Sequence, residues 1–216
     1  MTHKKGHLSC IMYQKAPFIG INRHRLTTDG KGVTTLAAFY GCPLQCEHCL
    51  NPQSWRDSVP LITLDTQEFY NQVKIDNLYF LATHGGITFG GGEPLLYTKF
   101  LVEYYQKFGN LWNMNLETSL HAPLKSLKTI YKMVHEWIID IKDLNPEIYF
   151  AYTKKDNKQV LDNLKFLLSE GLAEKLIVRV PLIPGYNTQE DVEKSVEKLQ
   201  KMGVLHIDRF DYIIRN

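Results

Sequence analysis

Apolar residues fall in short blocks, and between the blocks they recur every three or four positions. Val33 to Tyr40 is a run of strand length, rich in β-branched and aromatic residues, and it leads directly into Gly41 and Cys42. Gly86-Ile87-Thr88-Phe89 is a second block, ending in Gly90-Gly91-Gly92-Glu93-Pro94. Residues 113–118, 137–141, 176–180 and 205–214 continue the series. The intervening stretches have helical periodicity. Asp65-Thr66-Gln67-Glu68 reads as a capping box, and Leu101, Tyr104, Tyr105 and Phe108 share one face before Gly109. Pro123 opens a helix with Leu124, Leu127, Ile130, Tyr131 and Val134; two more stripes are Val160, Leu161, Leu164, Leu167, Leu168 and Val192, Val196, Leu199, Met202.

Six strand–helix units, the last without its helix, predict an α/β fold with a parallel sheet and outer helices. A closed eight-unit barrel takes about 250 residues. The 216 residues here suit six units, so the expectation is an open, partial (β/α)6 barrel with its chemistry at the C-terminal ends of the strands. Residues 1–18 read as a basic lead-in and residues 19–216 as a single domain, with no linker rich in Pro, Gly or Ser to divide it.

With 44% hydrophobic and 22% charged residues the composition is that of a globular protein. A net charge of +2 is too slight to argue for nucleic acid or an anionic membrane. Neither a signal peptide nor a transmembrane run is visible, and a cytoplasmic monomer is expected. Three of the four cysteines, Cys42, Cys46 and Cys49, lie within eight residues; Cys10 stands apart and reads as a free thiol. In a reducing compartment such crowding points to metal ligation.

The spacing Cys-x3-Cys-x2-Cys lets one loop wrap three thiolates around three corners of a cubane iron–sulfur cluster, leaving the fourth iron open. Two alternatives remain. One is a structural zinc ion with His48 as fourth ligand, awkward because His48 adjoins Cys49; the other is three unrelated buried thiols.

This loop resembles the cluster motif of the radical S-adenosylmethionine superfamily, with His48 at the position of the usual aromatic residue. The resemblance implies a [4Fe-4S] cluster held by Cys42, Cys46 and Cys49. It also implies S-adenosylmethionine bound to the open iron and cleaved by one electron to methionine and a 5′-deoxyadenosyl radical. Gly91-Gly92-Glu93 is similar to the family's GGE motif, which holds the cofactor's ammonium. Asp140-Ile141-Lys142 and Arg179 are similar to the Asp-x-Lys and strand-five Arg of glycyl radical enzyme activating enzymes, where cationic groups engage the cofactor's carboxylate and ribose. Glu117-Thr118 stands where that branch has Asp-Thr, implying contacts from Thr118 to the cofactor. It also leaves open a sodium or potassium ion among Glu117, Thr118, Asp140 and the Ile138 carbonyl.

Thr28-Asp29-Gly30-Lys31-Gly32 resembles the branch's Asp-Gly-Pro-Gly lead-in and Asn51-Pro52-Gln53-Ser54-Trp55 its Asn-Pro-x-x-Trp continuation, which places Asp29 toward the substrate. The segment Phe210-Asp211-Tyr212-Ile213 departs from the branch's Pro-Tyr-His, so the adenine contact differs. The implied activity is abstraction of a glycine Cα hydrogen in a partner glycyl radical enzyme, with flavodoxin or ferredoxin as electron donor. A maturase of a ribosomal peptide or small molecule is the alternative within the superfamily. A non-catalytic metal-binding module is the alternative outside it.

Overall fold

The computed structural model describes residues 14–26, 28–56 and 60–212. Cys10 lies outside them. One sheet of eight strands runs through the fold in the order β3-β1-β2-β4-β5-β6-β7-β8. Six of these strands are parallel neighbours: β2 (Val33–Phe39), β4 (Gly86–Gly91), β5 (Asn113–Thr118), β6 (Glu136–Asp140), β7 (Leu176–Leu182) and β8 (His206–Asp211). This is the expected open (β/α)6 arrangement. The helices α1 (Thr66–Val73), α2 (Asn77–Thr83), α3 (Thr98–Phe108), α4 (Leu124–Ile130), α5 (Pro146–Thr153), α6 (Lys158–Ser169) and α7 (Gln189–Lys201) link successive strands. Sequential parallel strands require crossover connections of this kind.

Two antiparallel strands extend the sheet beyond β2, and the hydrophobic pattern did not announce them. Strand β1 (Ala16–Leu26) pairs with β2, and β3 (Ile62–Leu64) pairs with the start of β1. The boundary expected after residue 18 therefore falls inside a strand, because Ala16 and Phe18 are buried where β3 lies alongside. The second half of β1 is polar and reads as loop. It is held by charge instead: Arg23 Nε donates to buried Asp76 at 2.8 Å, His24 Nε2 lies 3.0 Å from the same carboxylate, and Thr35 Oγ1 donates to it at 3.0 Å. Helix α5 was also missed, since Pro146-Glu-Ile-Tyr-Phe-Ala-Tyr-Thr153 has no single apolar stripe. The helix begun at Pro123 is shorter than expected, with Pro123 as its N-cap and Ile130 its last residue.

Apolar positions of the central strands face the helices, where Phe39 and Phe89 stack in an aromatic core with Phe18, Phe69 and Phe100. The alternate positions turn polar groups inward: Thr88, Asn115, Glu117, Glu136, Asp140 and Arg179. Thr88 and Asn115 are hydrogen bonded at 3.3 Å. The period of two thus gives each strand a dry outer face and a chemically active inner one. At the bottom, Gly30 has φ +108, and a Cβ there would stand 2.5 Å from Asn115 Nδ2, so glycine lets the β1–β2 turn enter the barrel.

Candidate active site

At the C-terminal end of β2 the chain enters the loop carrying Cys42, Cys46 and Cys49. Its backbone is tied to the end of α5: Gln45 N–H donates to the Thr153 carbonyl at 3.1 Å and Glu47 N–H to that of Tyr152 at 3.3 Å. Leu44 and Cys46 pack with Tyr152, Ile183 and Tyr212 beneath it. The neighbouring Gly91-Gly92-Glu93 segment is strapped across the same strand end. Gly92 N–H donates to the Phe39 carbonyl at 3.0 Å and Glu93 N–H to that of Gly41 at 2.8 Å. A Cβ on Gly92 would stand 2.2 Å from the Gly41 oxygen, so this approach needs glycine.

Glu93 is almost fully buried and accepts four hydrogen bonds. Thr118 Oγ1 and Leu95 N–H donate to Oε1 at 2.6 and 3.2 Å, and Ser119 N–H and Oγ donate to Oε2 at 3.0 and 2.7 Å. Burial nevertheless pushes its carboxyl above the usual range. Thr118, expected to touch the cofactor, lines the cavity, and its hydroxyl also orients Glu93; Ser119, which no sequence motif marks, completes the set.

Beside this carboxylate lies a charged quartet from three adjacent strand ends. Arg179 Nε donates to Asp140 Oδ1 at 2.5 Å, Arg179 Nη2 donates to Glu117 Oε1, and Lys142 Nζ donates to Asp140 Oδ2 at 3.1 Å. Burial alone would raise Asp140, but the charges of Lys142 and Arg179 outweigh it and hold the carboxyl below its ordinary range. Glu117 moves the other way: burial raises it, Arg179 offsets this in part, and the Asp140 charge adds to it.

All these groups border one cavity of about 510 Å³, within the range of small-molecule and cofactor sites. Its lining brings together Cys42, Cys46, Cys49, Gly91, Gly92, Glu93, Glu117, Thr118, Asp140, Lys142, Arg179 and, at the far end, Asp29. Asp29 is buried and held by Arg25 Nε at 2.5 Å. Arg25, Asp208, Phe210 and Tyr212 also line the cavity. No motif or periodicity marks Arg25, which approaches only through the β1–β2 pairing. His48, also expected at the cofactor, is not among the residues that line the cavity; its ring lies 5.7 Å from that of Tyr186 and 6.1 Å from that of Tyr152.

Three cysteines that line one cavity are a donor set that fits an iron–sulfur cluster with one iron left open toward that cavity. Cys42, Cys46 and Cys49 are free thiols. Among the described residues no three His, Cys, Asp or Glu side chains are gathered around a single point, and His48 does not share the cavity that the three cysteines line. Burial pushes Cys42 up to about 12 and Cys46 up to about 11, with the Glu93 charge adding to the first and Lys142 opposing the second. Thiolates in so dry a place need a compensating metal charge. The hydroxyl of Tyr149 is buried without a hydrogen-bond partner, and the ionisable groups that act on it most strongly are Cys46, Glu93 and Cys42.

Comparison with known proteins shows the family. The radical SAM superfamily matches residues 37–204. The pyruvate formate-lyase 2-activating enzyme of Escherichia coli is 28% identical over 247 residues, covering 96% of this chain and 82% of that protein. The pyruvate formate-lyase-activating enzyme of Staphylococcus aureus is 30% identical over 172 residues, covering 76% of this chain and 68% of its own. The structure of Streptococcus suis SuiB bound to S-adenosylmethionine superposes with a TM-score of 0.62 at 13% identity, covering 81% of this chain and 39% of that one, a likeness of fold. A three-cysteine loop, a glycine strap and a charged quartet facing one cavity, in a chain matched over most of its length, make this protein a member of the radical SAM superfamily, on the branch of the glycyl radical enzyme activating enzymes.

Proposed function

We propose that this enzyme installs the radical of a partner glycyl radical enzyme by removing a Cα hydrogen atom from a glycine in that partner. The observation that carries this reading is the single cavity running from the three cysteines past the Gly91-Gly92-Glu93 strap and the Asp140–Lys142–Arg179 group to Asp29. Family membership brings a [4Fe-4S] cluster and S-adenosylmethionine. When bound, these supply, with one electron, the 5′-deoxyadenosyl radical that takes the hydrogen atom.

The chain's own residues hold and orient. Cys42, Cys46 and Cys49 would each ligate one iron, with the loop held by its two backbone hydrogen bonds to α5. All four lone-pair positions of Glu93 are engaged by Thr118, Ser119 and Leu95, so it offers an ammonium a fixed negative charge, and the strap supplies the close backbone. Lys142 and Arg179, balanced by Asp140 and Glu117, offer donors to a carboxylate and to ribose hydroxyls. Lys142 Nζ also sits 5.7 Å from the Tyr212 ring, which with Phe210 gives the cavity an aromatic wall suited to an adenine. At the other end Asp29, fixed by Arg25, faces the position a glycine loop would take. No side chain need serve as a general base, since the protein's part is ligation, orientation and exclusion of water.

Further parts of the reading are the electron donor, a flavodoxin or ferredoxin, and a cytoplasmic, monomeric enzyme acting as one domain. No helix among the described residues is long and apolar enough to cross a membrane. The test is anaerobic reconstitution with iron and sulfide, followed by reductant and S-adenosylmethionine. We expect 5′-deoxyadenosine, and a glycyl radical signal when a co-encoded large glycyl radical protein is added. Formation of 5′-deoxyadenosine with no radical on any such partner would refute the proposed substrate class.

A further inference from the structure

The similarity of Glu117-Thr118 and Asp140 to the branch's motif raised a sodium or potassium ion among Glu117, Thr118, Asp140 and the Ile138 carbonyl. The side chains do not fit that ion, because each is already engaged. Both carboxylates receive the Arg179 guanidinium, Nε on Asp140 and Nη2 on Glu117, while Lys142 takes the other oxygen of Asp140. The Thr118 hydroxyl donates to Glu93 at 2.6 Å and accepts the Leu120 N–H at 2.9 Å.

Strand geometry explains how one arginine does this. Asp140 on β6 stands in register with Arg179 on β7, and Glu117 on β5 in register with Ile138 on β6. Glu117 and Arg179 are thus two strand spacings apart across the sheet and two residues apart along it, roughly 11–12 Å between backbones. A guanidinium passing over Asp140 spans this distance only if the acid reaches out to meet it, which the extra methylene of glutamate over aspartate allows. Gly90 leaves the necessary room, since a Cβ there would stand 3.0 Å from Glu117 Oε2.

Charge argues the same way. Glu117, Asp140, Lys142 and Arg179 sum to zero, and their side chains are only 10–23% exposed. A metal cation added there would find both carboxylates of the quartet already balanced by Arg179 and Lys142, beside a cofactor that itself carries a net positive charge.

We propose that Arg179 is the built-in cation of this site: its guanidinium, bridging Glu117 and Asp140, takes the place of a sodium or potassium ion, so neither cofactor binding nor folding depends on one. This rests on the reading that S-adenosylmethionine occupies the cavity.

The experiment compares the reconstituted protein in choline, sodium and potassium chloride at equal ionic strength, reading S-adenosylmethionine affinity and melting temperature. Wild type should bind with the same Kd, within twofold, and melt at the same temperature in all three. Arg179→Gln leaves two carboxylates facing one another without their shared cation. It should bind at least tenfold more weakly and melt lower in choline, and sodium or potassium should restore much of both. A tenfold dependence of wild-type binding on sodium or potassium would overturn the proposal, as would an Arg179→Gln protein indifferent to all three salts. If Arg179→Gln fails to fold, Glu117→Gln removes one of the two charges; that variant and wild type should both melt independently of the cation, and a sodium- or potassium-stabilised wild type still overturns the proposal. Wild type that binds no S-adenosylmethionine in any medium refutes the functional reading instead, while the melting temperatures still decide the cation.

Discussion

The strap between the β2 and β4 ends can be broken with one methyl group. In Gly92→Ala the new carbon would stand 2.2 Å from the Gly41 oxygen and 2.9 Å from the Phe39 oxygen. These carbonyls accept the two hydrogen bonds of the strap, from Glu93 N–H at 2.8 Å and Gly92 N–H at 3.0 Å. Both neighbours are backbone, so no side chain can swing aside, and the clash is relieved only by opening the strap. Each lost hydrogen bond costs about 1 kcal/mol net. Disturbing the packing of buried Leu95 adds roughly another 1 kcal/mol, for a total of about 3 kcal/mol. Gly203→Ala is the control: φ there is +96 but nothing lies within 4 Å of the added carbon. It pays only left-handed strain, partly offset by a less flexible unfolded chain, about 1 kcal/mol. For a chain of this size 1 kcal/mol moves the melting temperature by about 2–4 °C, so the expected losses are roughly 6–12 °C and 2–4 °C. Thermal melts of the anaerobically reconstituted proteins read this directly, with S-adenosylmethionine binding in parallel, which Gly92→Ala should lose and Gly203→Ala keep. If Gly92→Ala melts no lower than Gly203→Ala, the close approach does not hold the site and the reasoning fails.

Other outcomes follow from the same geometry. Cys46→Ala should lose both cluster iron and 5′-deoxyadenosine formation, as read by iron and sulfide analysis; cofactor cleavage by an iron-free protein would contradict the assigned ligands. Lys142→Ala should keep its cluster, since Asp140 retains Arg179, but lose a charge-assisted hydrogen bond worth about 1.5–3 kcal/mol, a roughly 10- to 150-fold weaker S-adenosylmethionine affinity by calorimetry. Asp76 governs an acid limb: burial opposes its ionisation, but hydrogen bonds from Arg23 and Thr35 and the charges of Arg23 and His24 prevail and lower its carboxyl. A lowered acid contributes stability that is full above its unfolded value, about pH 4, and is lost as pH falls through the folded value. Asp76→Asn should therefore flatten stability against pH below about pH 4 in urea titrations; an unchanged slope would show that Asp76 does not carry it.

What the sequence determined by itself is local. The number and order of the parallel strands followed from repeated apolar blocks and stripes, because burying one face of each element imposes a period that can be read residue by residue. The thiol spacing was equally visible, since its chemistry is set within a few residues of chain, whereas the glycine strap and Asp140-Ile141-Lys142, by themselves an ordinary turn and a strand-end ion pair, stood out only by their similarity to the activating-enzyme motifs. The tertiary structure decided everything that depends on pairing distant segments. Strand β1 escaped notice because its polar half is held by Asp76, more than fifty residues away. Ser119 joined Glu93, and Arg25 reached Asp29 at the cavity's far end, only because strands aligned. His48, next to Cys49 in sequence, sets its ring beside Tyr152 and Tyr186 and not on the cavity. Arg179 found Glu117 because strand register and spacing put two charges from opposite sides of Asp140 within one guanidinium's reach. Spacing along a chain fixes which groups can meet a ligand together, but which groups neutralise one another is settled by the sheet, where residues sixty positions apart become neighbours.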